Sequence, residues 1–117
     1  MGTNYYVVKN GPSVEEPIHI GKSSYGWLFL FQAQNERWHE PPVVWQTWSQ
    51  VLDWLQSYTV DRADYVIMDE YDRVISLEDF IDLVESKQID EFNLGNPDNF
   101  SDARNVDGYR FTDREFS

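Results

Sequence analysis

The chain is 117 residues long, carries 21 Asp and Glu against 9 Lys and Arg for a formal charge of −12, and contains no cysteine. That length suits a single domain, residues 1–117, with a core large enough to need no staple. The missing thiols exclude disulfides and thiolate metal sites, and a chain this negative lacks the Lys and Arg that direct binding to DNA, RNA or anionic membranes requires.

No segment reaches the roughly 18 apolar residues of a membrane span, and the opening Met1-Gly2-Thr3-Asn4-Tyr5-Tyr6 carries no basic and apolar leader. The expectation is a cytoplasmic protein. The acidity is lopsided: residues 1–60 hold five acids against three Lys and Arg, whereas residues 61–117 hold sixteen against six.

In chain order, Asn4 to Lys9 is rich in strand-favouring residues, and Asn10-Gly11-Pro12 ends it. After a connection from Ser13 to Pro17, Ile18 to Ile20 reads as a short strand, with Gly21, Ser23, Ser24 and Gly26 as its turn. The wholly apolar run Trp27 to Phe31 then reads as the central strand, buried on both faces. Gln34 to Gln46 has two adjacent prolines and no helical period, and reads as a loop carrying Trp38 and Trp45. Thr47 and Gln50 form a capping box for a first helix in which Val51, Leu52, Leu55 and Tyr58 recur at helical spacing. Trp48 and Trp54 lie at its flanks.

Tyr65 to Met68 reads as a strand, Asp69 to Arg73 as a turn with Asp72 left-handed, and Val74-Ile75 as the return of a hairpin. Ser76 caps a second helix with Leu77, Phe80, Ile81 and Val84 as its apolar stripe, and Ile75 is placed to staple against Phe80. Gln88 to Ser117 reads as an irregular tail held by Phe92, Phe100, Tyr109, Phe111 and Phe116, with Gly108 to Phe111 its one strand-like piece. The predicted fold is α+β: a small, mostly antiparallel sheet packed by two short helices, with an irregular C-terminal tail.

Few residues argue for catalysis. Gly21-Lys22-Ser23 matches the end of a phosphate-binding loop, but the glycine required five positions earlier is Glu16. Asp69, Glu70 and Asp72 could be read as a magnesium cluster, although acids in a hairpin turn are ordinarily just solvated. His19 and His39 are the only imidazoles, and no Gly-x-Ser-x-Gly elbow accompanies them. His19 reads as a packed, hydrogen-bonded strand residue. Asn99-Phe100-Ser101 fits the glycosylation pattern without a secretory signal.

The stretches Met1-Gly2-Thr3-Asn4-Tyr5-Tyr6, His19-Ile20-Gly21-Lys22-Ser23-Ser24-x-Gly26-Trp27-x-Phe29, Asp69-Glu70-Tyr71-x-Arg73-x-Ile75-Ser76 and Gly108-Tyr109-x-Phe111 cover most of the chain in order. Together they resemble a family of small uncharacterised bacteriophage and prophage proteins. Members of that family carry a Cys-x-x-Cys knuckle before the block at His19 and a histidine in the following strand, which with the block histidine look like a zinc site. Here the knuckle is replaced by the cysteine-free Asn10 to Glu16, and the later histidine falls at Gln32. One imidazole does not hold structural zinc, so the resemblance implies the fold and a phage origin but neither a metal nor another cofactor. Burial of Tyr25, Trp27, Phe29 and Phe31 would take over the stabilising role.

The expected function is that of a non-enzymatic, acidic binding protein whose partner is a protein with a basic surface. Its sharper form is an inhibitor of a host nucleic-acid-handling defence complex, of the anti-CRISPR or anti-restriction type. The alternatives are a phage accessory or structural protein, or a small enzyme. The expected contact residues are Asp69, Glu70 and Asp72 in the turn and Asp82 and Glu85 on the polar side of the second helix, with Trp38 and Trp45 as aromatic anchors.

Overall fold

A computed structural model describes residues 2–10, 16–24, 29–38, 41–89, 103–106 and 109–112. The expected anchors Tyr25, Trp27, Phe92, Phe100 and Phe116, and His39, lie outside them.

The first strand, β1 (Gly2–Lys9), pairs antiparallel with both β2 (Ile18–Ser24) and β6 (Tyr65–Asp69). With β3 (Leu30–Gln32), β7 (Val74–Ile75), β8 (Ala103–Val106) and β9 (Tyr109–Thr112), these make a seven-stranded sheet in the order β7-β6-β1-β2-β3-β9-β8. Every pairing is antiparallel except β3 with β9. A separate two-stranded hairpin joins β4 (Gln34–Glu36) to β5 (Val43–Trp45). The helices are α1 (Trp48–Leu55), which runs on into a π-helical turn (Gln56–Asp61), and α2 (Leu77–Ile89). The architecture is the small α+β fold that the hydrophobic pattern predicts.

Three expectations change. The middle of the sheet is β2, which runs through Gly21, Lys22, Ser23 and Ser24 rather than turning there. Gly21 stays in the strand because of what lies against it: a Cβ would collide with the Leu30 carbonyl oxygen and a Phe29 ring carbon and stand 3.0 Å from the Phe31 Cα. The glycine marks a close approach of chains within a strand. Secondly, Gln34 to Gln46 is a hairpin and not a loop, because Val43 and Trp45 bury completely while Gln34 and Gln46 satisfy backbone between them, Gln46 Nε2 donating to the Gln34 carbonyl at 2.8 Å. Thirdly, the strand-like piece expected near Gly108 to Phe111 is β9, and the otherwise irregular tail supplies a second strand beside it: 103–106 pairs with 109–112, which joins the sheet through β3. Only tertiary pairing makes these short polar strands stable.

One face of the sheet meets both helices. Phe31 is at the centre, with Phe29 at 4.7 Å, Phe111 stacked at 4.7 Å and Trp48 of α1 at 5.2 Å between ring centroids. Phe80 of α2 meets Phe29 edge-on at 5.4 Å. Offset and edge-to-face rings of this kind add to the area they bury.

The caps are those the sequence announces. Thr47 Oγ1 accepts from the Gln50 backbone N–H at 3.1 Å, while Gln50 reaches one residue further back than a capping box does, accepting from the N–H of Gln46 at 2.8 Å. Ser76 Oγ accepts from the N–H of Asp79 at 3.0 Å. Asp72 has the expected left-handed backbone, φ 65°.

Gly21→Ala is expected to lower stability by about 1–3 kcal/mol, because the new methyl meets backbone that must shift; urea denaturation checks this. Trp45→Ala should cost about 3–5 kcal/mol and Trp38→Ala under about 1 kcal/mol in the same assay, since Trp45 is fully enclosed and Trp38 is 79% exposed.

Candidate functional site

The β6–β7 turn is built by Asp69. Its Oδ1 accepts from the backbone N–H of Tyr71 at 2.8 Å and of Arg73 at 3.0 Å, and its Oδ2 accepts from Arg73 Nε at 2.8 Å. Burial works against the charge, but the two N–H donors and the guanidinium outweigh it and hold the carboxyl below its ordinary range. With 5% of its surface exposed and both oxygens engaged, Asp69 organises the turn and offers nothing to a partner. That corrects its expected role.

Glu70 is exposed but tied to the sheet, its Oε1 accepting from the Asn4 backbone N–H at 2.7 Å and from Asn4 Nδ2 at 3.2 Å. Because Asn4 spends its amide N–H on Glu70, its Oδ1 faces His19 Nε2 at 3.0 Å and requires a hydrogen on that nitrogen. Tyr6 packs on the same imidazole, 5.1 Å between rings. His19 is thus the packed, hydrogen-bonded residue the sequence suggests.

The zinc arrangement implied by the phage resemblance does not fit these residues. His19 Nε2 is occupied by Asn4, and Gln32 is buried with its Nε2 donating to the Thr112 carbonyl at 3.3 Å, where it clamps β3 to β9. Among the described residues no three His, Cys, Asp or Glu converge as metal ligands. The turn acids do not form a magnesium cluster either, since Asp69 and Glu70 face different donors.

Asp72 is exposed at the tip of the turn. On residues 77–86 of α2 the buried positions are Leu77, Phe80 and Val84, which turns Glu78, Asp79, Asp82 and Glu85 to solvent. Glu78, Asp82 and Glu85, spaced four and three apart, share one face. Glu78 and Asp79 were not among the expected contact residues; they stand in the first turn, where acids favour the helix dipole. Glu85 has a structural duty as well. It accepts from the Tyr109 hydroxyl at 2.6 Å, and burial together with that bond pushes the Tyr109 hydroxyl up to about 12.

The aromatic anchors separate. Trp38 stands exposed in the β4–β5 connection, whereas Trp45 lies in the core against Trp54, 5.4 Å between rings, and cannot anchor a partner. The surface that remains is acidic: from residue 69 to residue 85 there are seven acids and one base, Arg73, which Asp69 already holds.

Asp69→Asn is expected to lower stability by about 1–3 kcal/mol at neutral pH, through loss of charge-assisted acceptors. The folded pKa is depressed, so this contribution is fully present above the ordinary value of 3.8 and disappears as pH falls through the lower folded value. Denaturation curves of wild type and variant should therefore converge in acid; a gap that persists there contradicts the assignment.

Compared with protein-family models, with curated proteins and with solved structures, the chain finds no match in any of the three.

Proposed function

We propose that this chain is a non-enzymatic acidic binding protein that docks on the basic, nucleic-acid-handling surface of a protein partner. In its sharpest form it is a phage-encoded inhibitor of a host defence complex, of the anti-CRISPR or anti-restriction type. The resemblance to phage proteins supplies the setting.

The observation that carries this reading is the exposed face of α2. From Glu78 to Glu85 is a rise of seven steps, about 10.5 Å at 1.5 Å per residue, so Glu78, Asp79, Asp82 and Glu85 place one carboxylate per about 3.5 Å. One strand of duplex DNA presents a phosphate per about 3.4 Å of axis. A basic groove shaped for phosphates therefore meets a matching density of negative charge, and Asp72 adds a further exposed carboxylate at the tip of the β6–β7 turn. Affinity would come from many weak charge pairs, whose long-range part sets the rate of encounter.

The test is capture of partners from a host lysate by the immobilised protein, with DNA as competitor. A partner with nucleic-acid activity, displaced by DNA and by raised salt, is the expected outcome. The variant Asp72→Asn/Glu78→Gln/Asp82→Lys should keep the fold by circular dichroism, because exposed changes shift stability by under about 0.5 kcal/mol each. It should bind the captured partner at least tenfold more weakly at low salt, with slower association, and the difference should shrink as salt screens it. If that variant binds normally while Trp38→Ala abolishes capture, the β4–β5 connection is the contact surface and the acidic reading fails.

A further inference from the structure

A groove of about 340 Å3 opens between the β4–β5 hairpin and the outer side of α1, lined chiefly by Pro42, Val44, Asp53, Trp54, Ser57 and Tyr58. Trp54 Nε1 donates to the Pro42 carbonyl at 3.0 Å, which fastens hairpin to helix and uses up the indole's only polar atom. Its carbon edge is left to the groove. The one charge in the lining is Asp53, exposed, whose carboxylate makes no hydrogen bond or ion pair among the described residues.

The backbone beside the groove is irregular. α1 passes into a π-helical turn from Gln56 to Asp61, closed by the Arg62 N–H to the Ser57 carbonyl at 3.0 Å. Thr59 Oγ1 donates to the Leu55 carbonyl at 2.6 Å and Gln56 Nε2 to Asp61 Oδ1 at 3.1 Å, which hold the wide turn in place. Ala63 follows with φ 54°, pinned by Asn10 Nδ2 on its carbonyl at 3.2 Å. π turns and left-handed non-glycine residues are uncommon and concentrate at functional sites. Here the wide turn carries Ser57 and Tyr58 into the groove. Tyr58 already holds a guanidinium: Arg62 lies 5.4 Å from its ring centroid and pairs with Asp64 at 3.2 Å.

We propose that this groove takes an arginine side chain from a basic segment of the partner, its guanidinium on Asp53 and its stem along Pro42, Val44 and Trp54. The inference rests on the reading that the partner is basic, but on residues separate from the α2 face. A long cationic side chain lays its methylenes on apolar surface and keeps its charge in water, and a planar guanidinium matches a carboxylate that has no other partner. The field of a chain with formal charge −12 selects a cation over a neutral or acidic occupant.

The experiment is a backbone-amide NMR titration with a short blocked peptide carrying one arginine beside one leucine, compared with the same peptide carrying neutral, isosteric citrulline. Saturable shifts should gather at residues 42–44 and 50–58, with the citrulline peptide at least tenfold weaker. Asp53→Asn should abolish them, whereas Asp82→Asn should leave them unchanged. Equal binding of both peptides would overturn the proposal in favour of an apolar or proline-rich occupant. Shifts spread along α2 and indifferent to Asp53→Asn would overturn it while leaving the acidic-surface reading intact, as would absence of saturable binding. Loss of partner capture by the α2 variant is a separate measurement, so failure of one reading is not failure of the other.

Discussion

The fold depends on the absence of a side chain at Gly21. β2 is the middle strand, and the Phe29 ring and Leu30 carbonyl occupy the space where a Cβ would stand. That approach allows β3 to pair with β2, Gly21 opposite Phe31. β3 in turn is the template for β9, and Phe31 stacks on Phe111 across that parallel pair. The aromatic layer that receives α1 and α2 is thus built outward from one position at which backbone and ring meet without a methyl between them. Close packing makes such a position intolerant of even one added carbon.

The same kind of residue serves opposite ends a short distance along the chain. Asp69 loses water and is repaid in N–H donors and a guanidinium, so its charge is spent holding a turn. Asp72 and Asp82 keep their water and leave their charge to act at a distance. Glu70 and Glu85 stand between, exposed yet bonded to Asn4 and Tyr109. Net charge therefore overstates the surface available to a partner. The carboxylates that the fold does not itself use are a smaller set than the total.

Aromatic residues divide in the same way. Trp45, Trp48 and Trp54 are core, and Trp54 also ties the β4–β5 hairpin to α1 through the Pro42 carbonyl. Trp38 remains outside, in the connection between the hairpin strands. A tryptophan in a proline-containing stretch is an ambiguous sign, because its burial is decided by where that stretch folds back.

Local chemistry in the sequence was enough to determine both helix starts, the β6–β7 hairpin with its left-handed Asp72, the apolar stripes of the helices, and an α+β fold without thiol chemistry. Each of these follows from interactions within a few residues: Thr47 with Gln50, Ser76 with Asp79, Asp69 with Arg73. Of the expected contact residues, Asp72 and Asp82 were legible as solvent-facing acids for the same reason. Tertiary structure alone decided that Gly21 lies inside a strand, that β4 and β5 close as a hairpin, that the strand-like piece at 109–112 pairs with β3 on one side and β8 on the other, and that Asp69 and Trp45 turn inward. In each case the deciding partner is far away in the chain, as Phe111 is from Phe31 and Thr112 from Gln32. Contacts across such separations leave no period or spacing in the sequence, since what selects them is which surfaces remain to be buried once the local elements have formed.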